Sequence, residues 1–153
     1  MIDSASLNAN ELVSKLKSGD ISSVDLCKAY IKRIEKFEKD VQAWAFLDKK
    51  ILLEKAEEAD EYRKSGKPLG ALHGLPIAIK DLTDVIGFKT TYGFPGTKNN
   101  QPKKNSLFVS RLIDKGAIVI GKTNTAELGV GGHTINRLFG PTSNVYDLSL
   151  IHI

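Results

Sequence analysis

The sequence predicts an α/β fold with parallel strands and helices on the sheet faces, and three observations predict it. Ser106 opens a helix with Phe108, Val109, Leu112 and Ile113 inward; Gly116 closes that helix at C′; and Ala117 to Ile120 follows as a fully apolar strand. Helix, glycine, continuous apolar strand and then a new turn is the alternation that parallel sheets require. A second short apolar strand, Leu75 to Ile79, follows a helical stretch in the same way. With 153 residues and 41% hydrophobic content the chain is sized for one domain with a core.

The remaining elements follow in order. Asn8 with Glu11 forms a capping box, Leu12, Val13 and Leu16 give the first helix one apolar face, and Gly19 ends it. Ser22 or Ser23 caps a second, amphipathic helix carrying Leu26, Ala29, Tyr30, Ile34 and Phe37. Val41 to Leu47 reads as a strand, and about Lys49 to Ser65 as a third helix with Leu52, Leu53, Ala56, Ala59 and Tyr62 on one side. Val85–Phe88 and Thr90–Gly93 read as short extended pieces, Gly96 to Asn105 as a loop, and Thr123-Asn124-Thr125 as the cap of a short helix through Leu128. From Gly129 on the chain is rich in Gly, Thr, Asn and Pro, as loops near a site often are.

Composition excludes several function classes. The net charge of +4 comes from 22 basic and 18 acidic residues mixed along the chain, and Lys103-Lys104 is too short for a basic tract, so nucleic acid is not an expected partner. One cysteine, Cys27, rules out an internal disulfide framework, fits a reducing cytoplasm and reads as a packed helix residue. The start lacks a basic n-region and no apolar run approaches bilayer length, so the protein reads as soluble, untargeted and without a membrane partner. No metal ligand set or cofactor is expected.

The chemistry centres on Gly70 to Asp81, Gly-Ala-Leu-His-Gly-Leu-Pro-Ile-Ala-Ile-Lys-Asp, which delivers Lys80 at the end of an apolar strand. Desolvation there favours the neutral amine that can act as a base, making Lys80 the leading catalytic candidate. The structural alternative is a lysine that snorkels to solvent or pairs with Asp81. A second pattern, Gly116-Ala-Ile-Val-Ile-Gly121-Lys122-Thr123, matches G-x-x-x-x-G-K-[ST] letter for letter. A phosphate cradle needs a flexible loop between those glycines, whereas Ala-Ile-Val-Ile wants to be the strand itself, so the P-loop nucleotide-binding reading is a remote alternative.

Taken together, Ser18 to Leu26, the Gly74 to Asp81 block, the Gly116 to Asn124 block and Phe139-Gly140-Pro141-Thr142-Ser143-Asn144 leading to Asp147 resemble the amidase signature family. The resemblance covers essentially the whole chain. It implies an α/β/α fold with a mixed central sheet, of which this chain is the truncated N-terminal portion. It also implies a Ser–cis-Ser–Lys triad with Lys80 as its lysine, acting on a small or aryl carboxamide without a cofactor, in a full-length protein that is a homodimer. The resemblance gives Lys122 a place in a supporting hydrogen-bond network, and places Gly131, Gly132 and His133 in the loop that approaches the substrate carbonyl. The nearest alternative within the family is the A subunit of the glutamyl-tRNA(Gln)/aspartyl-tRNA(Asn) amidotransferase. Val130-Gly-Gly-His-Thr, where those members usually carry a Met-Gly-Ser-Ser-type run, favours a free-standing amidase. The family's serine loop belongs after Asp147, so residues 1–147 are read as the N-terminal part of one amidase-signature domain that retains only the lysine. Residues 148–153, Leu-Ser-Leu-Ile-His-Ile, are read as a non-native tail, because a DNA adapter end encodes them in frame. On that reading His152 has no function, and His73 and His133 are loop histidines.

Overall fold

A computed structural model describes residues 7–149. The tail assignment therefore falls mostly on residues 150–153, outside the described residues. The elements are α1 (Ala9–Ser18), α2 (Ser23–Val41), β1 (Trp44–Leu47), α3 (Lys49–Lys64), β2 (Pro76–Lys80), α4 (Leu107–Asp114), β3 (Ile118–Thr123), β4 (Ile135–Asn136) and β5 (Gly140–Pro141).

The main sheet has the order β1-β3-β2. β1 runs antiparallel to β3, with Trp44 opposite Thr123, Phe46 opposite Lys122 and a bulge between Trp44 and Phe46. β2 advances in the same sense as β3: the Ile118 N–H donates to Leu75 O, and the Asp81 N–H to Thr123 O, both at 2.9 Å. The sheet is therefore mixed, as the resemblance implied. β4 and β5 form a separate antiparallel hairpin in the stretch read as loop.

Contacts divide the chain into two compact units. The first comprises Met1–Ile34, Asp48–Ile77 and Ser110–Ile120. Its core gathers Leu12, Leu16, Ile21, Leu26 and Leu75, with Val13, Tyr30 and Leu72 packed against them. Each such leucine stabilises the unit by roughly 1.5–3 kcal/mol through removal from water. The capping box of α1 forms as expected, with Asn8 Oδ1 accepting the Glu11 N–H at 3.0 Å and Glu11 accepting the Asn8 N–H at 2.8 Å. Ser22 caps α2 by accepting the Asp25 N–H at 2.9 Å. A second cap comes from α3, where buried Asp60 accepts the Ser23 and Val24 N–H groups at 2.8 and 3.1 Å. Cys27, one turn further along α2, is fully buried.

The second unit comprises Glu35–Leu47, Ala78–Val109 and Gly121–Ile153. Here several expectations are corrected. Val41 ends α2, and Gln42 at φ 54° turns the chain, so β1 starts only at Trp44. Val85–Phe88 is a turn closed by Phe88 N–H to Val85 O at 3.2 Å, and Thr90–Gly93 bends through Tyr92 at φ 54° instead of extending. Thr123-Asn124-Thr125 does not cap a helix: only one 3₁₀ turn follows, Glu127–Gly129, and its N-cap is Ala126 with no side-chain hydrogen bond. In α4 only Val109 is fully buried, while Phe108 and Ile113 are exposed, because a helix of 8 residues presents one narrow inward stripe. The Ser106 hydroxyl accepts the Asp84 N–H at 3.2 Å, so it serves a loop and does not cap the helix. No helix among the described residues is long and apolar enough to cross a membrane.

Candidate active site

Pro76, which has no N–H to offer a sheet ladder, opens β2, and the period of two along the strand then decides what each side chain meets. Ile79 and Asp81 turn inward, at 5% and 0% exposure. Lys80, between them, turns outward and is exposed. This corrects the expectation of a desolvated lysine at position 80. The water-excluded lysine is Lys122, at 0% exposure. The backbone at Lys80 is nonetheless tightly held. Its carbonyl accepts the Thr83 N–H at 3.1 Å, the Asp81 N–H is on β3, and the Asp81 carbonyl accepts the Tyr92 N–H at 3.1 Å.

Lys122 reaches inward from β3 and uses all three ammonium donors, on Asp81 Oδ1 at 3.0 Å, Thr90 Oγ1 at 2.9 Å and the Lys89 carbonyl at 3.1 Å. Burial pushes its pKa down, opposed by the hydrogen bond and charge of Asp81 and by the charge of Asp84. The Asp81 carboxylate also accepts the Thr91 N–H at 3.1 Å and the Thr91 hydroxyl. Asp81 therefore pairs with Lys122, and among the described residues Lys80 makes no ion pair. The supporting network expected around Lys122 is present, and it draws in Asp81, Thr90 and Thr91, which sequence reasoning missed. The signal was available in strand parity, which sends residue 81 to the side opposite residue 80.

The P-loop glycines have other work. Gly116, at φ 88°, ends α4 against the His73 backbone. A Cβ at Gly121 would collide with the Phe46 carbonyl of β1, so that glycine permits a close strand approach. With β3 over Ile118–Thr123 and the Lys122 donors spent within the protein, this segment is not a phosphate cradle.

Gly131, Gly132 and His133 are exposed on the loop before β4. A Cβ at either glycine would meet nothing within 4 Å among the described residues. The loop is closed at its base by Asn136, whose amide donates to Asn124 Oδ1 at 2.7 Å and Thr125 O at 2.8 Å. The same side chain accepts the Leu138 and Phe139 N–H groups at 2.9 and 2.8 Å. Arg137 adds a bidentate pair to Glu127 at 2.8 and 3.0 Å, which holds the Glu127 carboxyl below its ordinary range. At the start of the loop, the Leu128 N–H donates to the Tyr92 carbonyl at 2.6 Å, with both residues at φ 54°. Because Tyr92 N–H is itself on Asp81 O, a continuous backbone path runs from the end of β2 to this loop. The positive φ of two bulky residues is strain of the kind that gathers at functional sites, and the sequence pattern carries no sign of it.

Comparison with known proteins bears on this arrangement. The family model described as Amidase matches residues 25–152. The chain is 36% identical to an acylamidase of Rhodococcus erythropolis, over 93% of this chain and 30% of the relative. It is also 36% identical to the A-type subunit of the glutamyl-tRNA(Gln) amidotransferase of Salinispora tropica, over 99% of this chain and 31% of that protein. Among solved structures, the peptide amidase of Stenotrophomonas maltophilia superposes with a TM-score of 0.88 at 28% identity, covering 96% of this chain and 31% of that one. A fatty acid amide hydrolase superposes with a TM-score of 0.88 at 30% identity, covering 93% and 25%. The chain thus spans under a third of the length of these relatives, and over that span it carries their fold. Sequence match and superposition agree on one conclusion: the chain belongs to the amidase family.

Proposed function

We propose that the full-length protein is an amidase that hydrolyses a linear carboxamide to a carboxylate and ammonia, with Lys80 as the base of a Ser–cis-Ser–Lys triad whose serines lie outside these residues. In this reading the Lys80 amine, when neutral, takes a proton through the bridging serine. The activated serine attacks the amide carbonyl, ammonia leaves, and water releases the acyl group. The observation that carries the reading is the division of labour between two lysines. Asp81, the carboxylate next to Lys80, is committed to Lys122, which leaves the Lys80 amine on the outer side of β2 without an ion-pair partner among the described residues. An amine tied up by a carboxylate would not be free to meet a serine hydroxyl. Gly131 and Gly132 support a substrate-facing role for their loop, since the space beside them is open.

A small or aryl carboxamide is the substrate class. The acylamidase relative supports it, as does an aryl acylamidase structure that superposes with a TM-score of 0.86 at 28% identity. A cytoplasmic location belongs to the same reading, supported by a single buried cysteine. The amidotransferase A subunit is the second reading, favoured by the match to the Salinispora protein over 99% of this chain. Ammonia release from benzamide by the full-length protein alone separates the two. The amidase reading expects turnover that Lys80→Met abolishes. Release only from glutamine, and only with partner subunits, would favour the amidotransferase, and undiminished turnover in Lys80→Met would remove Lys80 as the base.

A further inference from the structure

We propose that Lys122 is a positioning residue for Lys80, acting through Asp81; this rests on the amidase reading above. The Lys80 side chain has no ion-pair partner among the described residues, so its aim is set by the backbone that carries it. That backbone is gripped through the next residue. One grip is the Asp81 N–H on the Thr123 carbonyl at 2.9 Å. The other is the Asp81 carboxylate on the Lys122 ammonium at 3.0 Å. Lys122 and Thr123 are consecutive on β3, so two neighbouring residues of that strand fix Asp81 by main chain and side chain at once.

The remaining Lys122 donors tie the same point to the Lys89–Thr91 segment. Thr90 Oγ1 and Lys89 O accept from the ammonium at 2.9 and 3.1 Å, and the Thr91 N–H returns to Asp81 at 3.1 Å. No donor of the ammonium is left over for a substrate, and at 0% exposure it does not meet one. A buried ion pair is not the cheapest way to fill such a space, since apolar side chains of similar volume often serve stability equally well. What the pair supplies is a fixed geometry, with a tetrahedral head and three acceptors defining one position for residue 81 and hence for residue 80.

Full-length enzyme with benzamide tests this through the separation of kcat from KM and through stability. Lys122→Met leaves Asp81 buried without its cation. It is expected to lower kcat about 10- to 100-fold, the scale of a misplacement on the order of 1 Å, with KM held within about twofold. A merely structural role makes a different prediction for Lys122→Met with Asp81→Asn. That double variant removes the uncompensated charge while the new amide oxygen still accepts the Thr91 N–H. If the pair only keeps the fold intact, Tm and kcat return together. The positioning role expects Tm to return to near the wild-type value while kcat stays low. Wild-type kcat in either variant overturns the proposal. Thr90→Val, near-isosteric and removing one acceptor of the ammonium, serves as the mildest arm. It is expected to lower kcat at unchanged KM, and an unchanged kcat counts against the proposal even if neither of the other variants folds. Lys80→Met in the same enzyme reports separately on the reading beneath: turnover there removes Lys80 as the base, whereas wild-type kcat in the Lys122 variants removes only the role of Lys122.

Discussion

His73 shows how one side chain departs from the part its sequence context suggests. Its glycine-rich surroundings read as an ordinary loop, yet the ring is buried at 5% exposure and its Nε2 meets no hydrogen-bond partner among the described residues. Burial pushes its pKa below the ordinary 6.5, opposed by the Ala59 carbonyl and the Asp60 charge and reinforced by Arg63 and Lys17. A base whose pKa is depressed by folding binds fewer protons folded than unfolded, so stability is complete above 6.5 and falls as pH drops through and below that value. The expected outcome is an acid-side decline in Tm that His73→Phe flattens, read by thermal melts across a pH series. Cys27 behaves as the sequence implied: burial first, then Asp60, raise its thiol to about 12, which keeps it uncharged and unreactive at neutral pH. The two lysines are harder to tell apart. Both Lys80 and Lys122 follow an apolar run, and hydropathy alone does not say which faces inward; the buried Asp81, one step along the strand, does.

Among elements, legibility follows separation along the chain. The α1 capping box is readable because Asn8 and Glu11 lie three positions apart, within a single turn. The cap that Asp60 places on α2 is not, because donor and acceptor are 37 residues apart and an acidic residue on α3 looks like solvated surface. Asp60→Ala is expected to destabilise the protein by about 1–2 kcal/mol through loss of that cap. A denaturant midpoint series checks it, and an effect no larger than that of an exposed α3 carboxylate such as Glu57 would refute it. The stretch from Val85 to Gly93 also departs from its sequence reading as two extended pieces. Its backbone bonds go instead to short local turns, to Asp81 and to Leu128, and Tyr92 holds a left-handed conformation that propensity disfavours.

At the scale of the molecule, family and fold are legible because four motifs in order, spread from Ser18 to Asp147, constrain the reading far more than any one of them. The site is legible less far, because Lys80 and Lys122 both follow an apolar run and only strand parity tells which of them faces inward. The chain also carries large exposed apolar side chains: Leu107 at 68%, Val130 at 77% and Tyr146 at 96%. Apolar exposure of this kind recruits partners or promotes association. The 153-residue chain alone is expected to bind a hydrophobic dye and self-associate, whereas the full-length protein is not; light scattering and dye fluorescence compare them, and equal signals would contradict the expectation. The alternation along β2 has one further consequence. Slipping that strand by a single residue would force an amine into the slot shaped for a carboxylate and leave the ammonium behind it facing another cation. Misregistered conformers are thereby disfavoured on stability grounds, so that the ion pair filling the interior also decides which way residue 80 faces.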